Sequence, residues 1–229
     1  MRVKKPVRFS LFILFVLAII LMISACRNHY INVGNNTSSF SINNNKEEEA
    51  KYIVVIDPGH GGEDPGATGV SGKYEKDFTL SLSKKVAQIL EEEPEIEVHM
   101  TREDDTFISS KGSLRATFAN DLNADLYISI HGNTFTDPDL SGTQSYYFHD
   151  YSRSFAEGMH QHVVNATGFT DQGIKEENYY VLRDTKMPSV LLEIGYLTNA
   201  LEEQKMLRDD FQETIAASIY MGIKEYLDL

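Results

Sequence analysis

The chain predicts an α/β sandwich: a single three-layer domain whose mostly parallel, about six-stranded sheet is flanked by helices. Three observations carry this. Short apolar, β-branched runs such as Val54-Val55-Ile56 have the pattern of strands buried on both faces. Longer segments with apolar residues at helical spacing alternate with them. Several of the apolar runs stop at a polar, metal-capable side chain, which puts chemistry at one end of the sheet, where open α/β sheets bind ligands.

The first strand covers residues 52–57 and is stopped by Pro58 and Gly59. A helix follows over 76–93, with apolar residues at Phe78, Leu80, Leu82, Val86, Ile89 and Leu90 and Pro94 beyond its end. A strand at 96–101 precedes a helix at 110–122 whose apolar face would be Leu114, Phe118 and Leu122. Residues 124–131 form another buried strand, and 142–149 a strand rich in Tyr and Phe. A helix over 151–167, a short strand at 179–182 and an apolar strand at 189–194 come next. Helices at 201–207 and 210–227 close the chain, and no internal repeat is present.

The amino-terminal part has a different composition. Arg2, Lys4, Lys5 and Arg8 precede a nearly continuous apolar run from Phe9 to Met22, followed by Ile23-Ser24-Ala25-Cys26. This is the layout of an export signal over residues 1–25. Ile-Ser-Ala-Cys resembles the lipobox of bacterial lipoproteins, which implies that Cys26 is lipidated and becomes the first mature residue. A simple cleaved signal or a signal anchor fits the same segment. Cys26 is the only cysteine, so the domain forms no internal disulfide. Residues 27–50 are rich in Asn, Ser and Glu and predict a flexible polar linker, leaving 51–229 as one folded domain. The expected location is outside the cytoplasm, held at the membrane by this anchor.

The 229-residue chain carries a formal net charge of −13 and has no stripe of Lys and Arg interleaved with aromatics. This excludes nucleic acid as the expected partner. A monomer is the default expectation.

His60 follows the first strand, His131 ends the third, and Glu193 interrupts the run Val190-Leu191-Leu192 before Ile194. A carboxylate in such a run is costly to bury unless it is paired or binds a metal. A salt bridge to an arginine answers that cost as well as catalysis does. Glu75 stands at the start of the first helix, a common place for a carboxylate. Two histidines and a carboxylate with an open fourth position make a hydrolytic zinc site, and a further glutamate beside it serves as general base. The ligands come from separate elements, so no short spacing rule identifies them.

Four ordered motifs then become informative: Val54-Val55-Ile56-Asp57-Pro58-Gly59-His60-Gly61-Gly62-Glu63-Asp64-Pro65-Gly66-Ala67, Tyr74-Glu75-Lys76-Asp77-Phe78-Thr79-Leu80, Ser129-Ile130-His131-Gly132-Asn133, and Val190-Leu191-Leu192-Glu193-Ile194-Gly195-Tyr196-Leu197-Thr198-Asn199. Together they resemble the zinc-dependent N-acetylmuramoyl-L-alanine amidases, the amidase type 3 catalytic domain, over about residues 52–228. The resemblance implies one Zn2+ per chain held by His60, Glu75 and His131, with Glu193 as the catalytic glutamate. It implies peptidoglycan as substrate, cut at the amide between N-acetylmuramic acid and the L-alanine of the stem peptide. Asn133 would line the cleft and Arg183 would meet a stem-peptide carboxylate, although a surface ion pair suits Arg183 equally. Arg102 and Arg115 fall where the family also has arginines, and structural pairs with Asp104, Asp105 or Asp125 are expected for them. His29, His99, His149, His160 and His162 are expected not to be ligands. Some relatives insert an inhibitory helix after the second histidine motif. The segment from Phe135 to Gly173 has little room for one, so an open cleft is expected.

The residues alone leave two other classes open. One is a zinc peptidase acting on the same stem peptides. The other is a non-catalytic, wall-binding lipoprotein built on a degenerate enzyme fold.

Overall fold

The computed structural model describes residues 52–229. The assignments made for residues 1–25, Cys26, His29 and the linker 27–50 lie outside the described residues. Six strands form one sheet in the order β2-β1-β3-β6-β4-β5. They are β1 (Tyr52–Pro58), β2 (Ile96–Met100), β3 (Leu126–Asn133), β4 (Thr143–Tyr147), β5 (Asp171–Glu176) and β6 (Ser189–Tyr196). Only the β4–β6 pairing is antiparallel. The helices are α1 (Glu75–Leu90), α2 (Leu114–Asp121), α3 (Arg153–Thr167), α4 (Tyr180–Arg183), α5 (Ala200–Met206) and α6 (Asp209–Leu227), with a 3-10 turn at Asp150–Ser152.

Alternation along the central strands sends successive side chains to opposite faces. Val54, Ile56, Leu126, Ile128, Ile130, Val190, Leu192 and Ile194 join the large core under α1, α3 and α6. Val55 and Tyr127 face the other way, against Ala119 of α2 and Met187. Leu191 packs there with Tyr146 and Leu182. Both faces of the central strands are therefore covered, which is why they read as unbroken apolar runs.

Helix ends follow local chemistry. In α5 the Asn199 side chain accepts hydrogen bonds from the backbone N–H groups of Leu201 and Glu202, an N-cap. In α6, Asp209 and Asp210 occupy the first turn and Lys224 the last, in keeping with the helix dipole. Helix α1 stops at Leu90 rather than at residue 93. Continuing it would put Glu91, Glu92 and Glu93 at the negative end of that dipole.

Three expectations are corrected. Residues 180–183 are the short helix α4, not a strand. The sixth strand is instead β5, a polar edge strand with exposed ends, containing Gly173 at φ +75°. Helix α2 starts at Leu114, and its buried side is Arg115, Ala116 and Ala119, while Leu114 is 62% exposed. The cause is Arg115, which must turn inward to reach buried Asp57. Between Phe135 and the start of β5 lie β4, the 3-10 turn and α3. Among the described residues no helix is long and apolar enough to cross a membrane.

Candidate metal and catalytic site

Because β1, β3 and β6 run parallel, their carboxyl ends open on the same side of the sheet. His60 lies just past β1, His131 is in β3, and Glu193 in β6 is the direct cross-strand partner of His131. Glu75 arrives from the first turn of α1.

The ligand-capable atoms of His60, Glu75 and His131 all lie within 4.8 Å of one another. Oε1 of Glu75 is 3.1 Å from His60 Nε2 and 2.9 Å from His131 Nδ1. The backbone N–H of Gly132 donates to that oxygen at 3.1 Å, and the N–H of Ala67 donates to Oε2 at 2.8 Å. Burial pushes the Glu75 carboxyl up, but hydrogen bonds and charge from His131 and His60 outweigh it and hold the group well below the ordinary carboxylate value.

His60 adopts φ +61°, in the left-handed region that L residues seldom enter. Its Nδ1 donates to Asp64 Oδ2 at 3.0 Å, which leaves Nε2 turned towards Glu75. A carboxylate behind a histidine fixes ring orientation and tautomer in this way at metal sites. Burial lowers the His60 pKa, but Glu75 and Asp64 win and raise it above the usual imidazole value. Asp64 went unassigned in the sequence, although its place four residues after His60 in a glycine-rich loop is a usable signal.

Glycine makes room for this packing at Gly59. A Cβ there would lie 2.3 Å from Cε1 of His131.

Glu193 Oε2 is buried without any hydrogen-bond partner. Burial and the nearby charge of Glu75 push its pKa well above the ordinary carboxylate value. No arginine reaches it, so the salt-bridge explanation for this residue is absent among the described residues. Two imidazoles, a carboxylate and an orphaned glutamate oxygen form a donor set that fits a divalent cation. His60, His131 and Glu193 line one cavity of about 390 Å³, whose lining also includes Asn178, Tyr179 and Tyr180. Tyr179 and Tyr180 are both more than 40% exposed and were not singled out in the sequence.

The weaker candidates are placed as follows. Asn133 ends β3 and is not among the residues lining that cavity; its side chain accepts from Thr134 N–H. The Arg183 guanidinium pairs with both oxygens of Asp184, at 2.8 and 3.0 Å, and its central carbon lies 4.5 Å from the centre of the Tyr180 ring. Arg115 is structural, as expected, but its partner is Asp57 at 2.6 Å rather than Asp104, Asp105 or Asp125. Arg102 makes no ion pair and is satisfied by carbonyls and Thr79. The remaining described histidines are engaged elsewhere: His99 with Glu97, His149 with the Arg183 carbonyl, His160 with Ser145 and Asp171, and His162 with Glu225.

A doubly covered α/β sheet with a His-Glu-His cluster and an unpartnered glutamate oxygen fits the class of hydrolase domains built around a metal-binding site. The profile of the N-acetylmuramoyl-L-alanine amidases (Amidase_3) matches residues 54–225, and the chain belongs to this family of peptidoglycan hydrolases. The catalytic domain of CwlV, an N-acetylmuramoyl-L-alanine amidase from Bacillus (Paenibacillus) polymyxa var. colistinus, is 47% identical. It superposes with a TM-score of 0.75 over 77% of this chain and 98% of its own. The N-acetylmuramoyl-L-alanine amidase of Clostridium difficile 630 is 39% identical with a TM-score of 0.75, over 78% and 97%. A Staphylococcus aureus protein described as "Probable cell wall amidase LytH" is 37% identical over 177 residues. That match covers 76% of this chain but only 57% of the relative.

Proposed function

We propose that this protein is a zinc-dependent amidase that frees stem peptides from peptidoglycan by cutting between N-acetylmuramic acid and L-alanine. His60, Glu75 and His131 hold one zinc ion, and Glu193 moves the proton. The observation that carries this reading is the set of three ligand atoms within 4.8 Å, beside a glutamate oxygen with no other partner. Zinc in a His-Glu-His set supplies Lewis acidity, acidifying water and polarising an amide carbonyl.

The chain's own residues do the rest. Glu193 as a carboxylate takes the proton of the attacking water at Oε2, then delivers it to the leaving amine nitrogen of L-alanine. Asp64 keeps Nε2 of His60 available by accepting from Nδ1. Tyr179 and Tyr180 provide the wall against which substrate lies. Asn133 and Arg183 are weaker substrate contacts, and for Arg183 the pairing with Asp184 has to loosen first.

The export signal over 1–25, lipidated Cys26, a 27–50 linker and a monomeric 51–229 domain complete the proposal. An anchored enzyme on the outer side of the membrane would be held close to its polymeric substrate.

Digestion of purified muropeptides, followed by mass spectrometry, tests the bond assignment. The expected products are free stem peptides beginning with L-alanine and peptide-free glycan. Shortened peptides still joined to muramic acid would assign the protein to the peptidases instead. Similarity to named amidases favours the first outcome.

A further inference from the structure

Arg102 is 4% exposed, yet no carboxylate pairs with it. A buried guanidinium without a counterion is expensive unless its hydrogen bonds hold something in place. Its pKa is depressed by burial and by the neighbouring Arg115. The bonds it makes have a pattern. On one side Nε donates to the Pro58 carbonyl at 3.1 Å and Nη2 to the Gly59 carbonyl at 2.8 Å. These two carbonyls immediately precede His60 and its left-handed backbone. On the other side Nη2 lies 3.0 Å from the Lys76 carbonyl and 3.1 Å from Thr79 Oγ1, both in the first turns of α1 behind Glu75. Thr79 Oγ1 itself donates to the Gly59 carbonyl at 2.7 Å, closing the same bridge.

We propose that Arg102 is a positioning residue of the metal site: its guanidinium clamps the His60 turn to the first turns of the Glu75 helix and so sets the spacing of these two ligands. The inference rests on the metal-site reading given above. Its physical basis is the planar fork of arginine, which reaches several acceptors at fixed angles where a lysine ammonium cannot. Lys76 Nζ of α1 also reaches the loop after His60, at the Gly62 carbonyl (2.9 Å), but it bonds none of the carbonyls that precede His60. Arg115 also donates to the Pro58 and His60 carbonyls but makes no hydrogen bond to α1. Residues that orient metal ligands typically change metal affinity about 10- to 100-fold when replaced.

The test compares the full-length wild-type chain with Arg102→Lys and Thr79→Val. Zn2+ and Co2+ dissociation constants are measured by competition with a chelating dye, together with the visible spectrum of the Co2+ form and the apo thermal midpoint. Thr79→Val removes one strut of the bridge at nearly constant volume and decides the matter if Arg102→Lys does not fold. Expected is a loss of Zn2+ affinity of about 10- to 100-fold for Arg102→Lys and about 10-fold for Thr79→Val, with altered Co2+ absorption bands. Unchanged affinity and an unchanged Co2+ spectrum in the folded variants, with only the apo midpoint lowered, would reduce Arg102 to a stabilising residue and overturn this inference alone. Wild-type protein that takes up neither metal would remove the metal-site reading and this inference with it.

Discussion

Glu193 and His131 are direct cross-strand partners on β6 and β3, so one turn of the sheet's pleat places the orphaned carboxylate beside the histidine cluster. The pairing is set by the register of two buried strands. A slip of β6 by one residue would turn Glu193 to the other face. The position of Glu193 relative to His131 is therefore a property of the sheet rather than of a loop.

Glu193→Gln keeps the volume and removes the proton acceptor. The account predicts a fall in muropeptide hydrolysis of about 10²- to 10⁴-fold with metal content unchanged. Hydrolysis rate and metal stoichiometry, measured on the same preparation, check this. A variant that retains most of its activity would take Glu193 out of the chemistry.

Gly59→Ala adds a Cβ 2.3 Å from Cε1 of His131, one of the proposed ligands. Either the ring or the turn has to move. The expected result is weakened metal binding, together with a stability loss of about 1–3 kcal/mol, as for other overpacked sites. Isothermal titration and urea unfolding measure the two effects. Normal metal affinity would mean that His131 has more freedom than the packing indicates.

Asp57 and Arg115 form a buried pair under the His60 turn, and Ser129 also donates to Asp57, at 2.7 Å. Burial pushes the Asp57 carboxyl up, but Arg115 and the hydroxyls of Thr101 and Ser129 hold it below its ordinary value. A depressed folded pKa gives stability that is fully present above the unfolded value of about 3.9 and is lost as pH falls through the folded value. Urea unfolding followed downward from about pH 5 should show this loss, and Asp57→Asn should flatten that acid limb. An unaltered acid limb in the variant would place the pH dependence elsewhere. Arg115→Met, which strands the buried carboxylate, should cost about 3–5 kcal/mol in the same assay at neutral pH.

The parts of the site legible in the sequence were those that violate a pattern. His60, His131 and Glu193 stand out because a polar side chain closes or breaks an apolar run. Glu75 does not, since a carboxylate in a first helical turn is ordinary, and only its motif identified it. The fold was legible wherever strands are buried on both faces. It failed at Tyr180-Val181-Leu182, where strand-forming residues make one helical turn, and at β5, where edge position permits the polar sequence Asp-Gln-Gly-Ile-Lys-Glu. Long-range polar contacts were invisible: nothing local to Arg115 shows that Asp57, 58 residues away, is its partner. That one contact also reverses the buried side of α2, leaving Leu114 in solvent.

The central claim is that a metal held by His60, Glu75 and His131 is required for hydrolysis. The most direct measurement strips metal from the protein with a chelator, removes the chelator, and titrates Zn2+ back while following muropeptide cleavage. The account predicts no cleavage by the stripped protein and full recovery at one Zn2+ per chain, with no recovery in His60→Ala. Undiminished cleavage by the metal-free protein would contradict it.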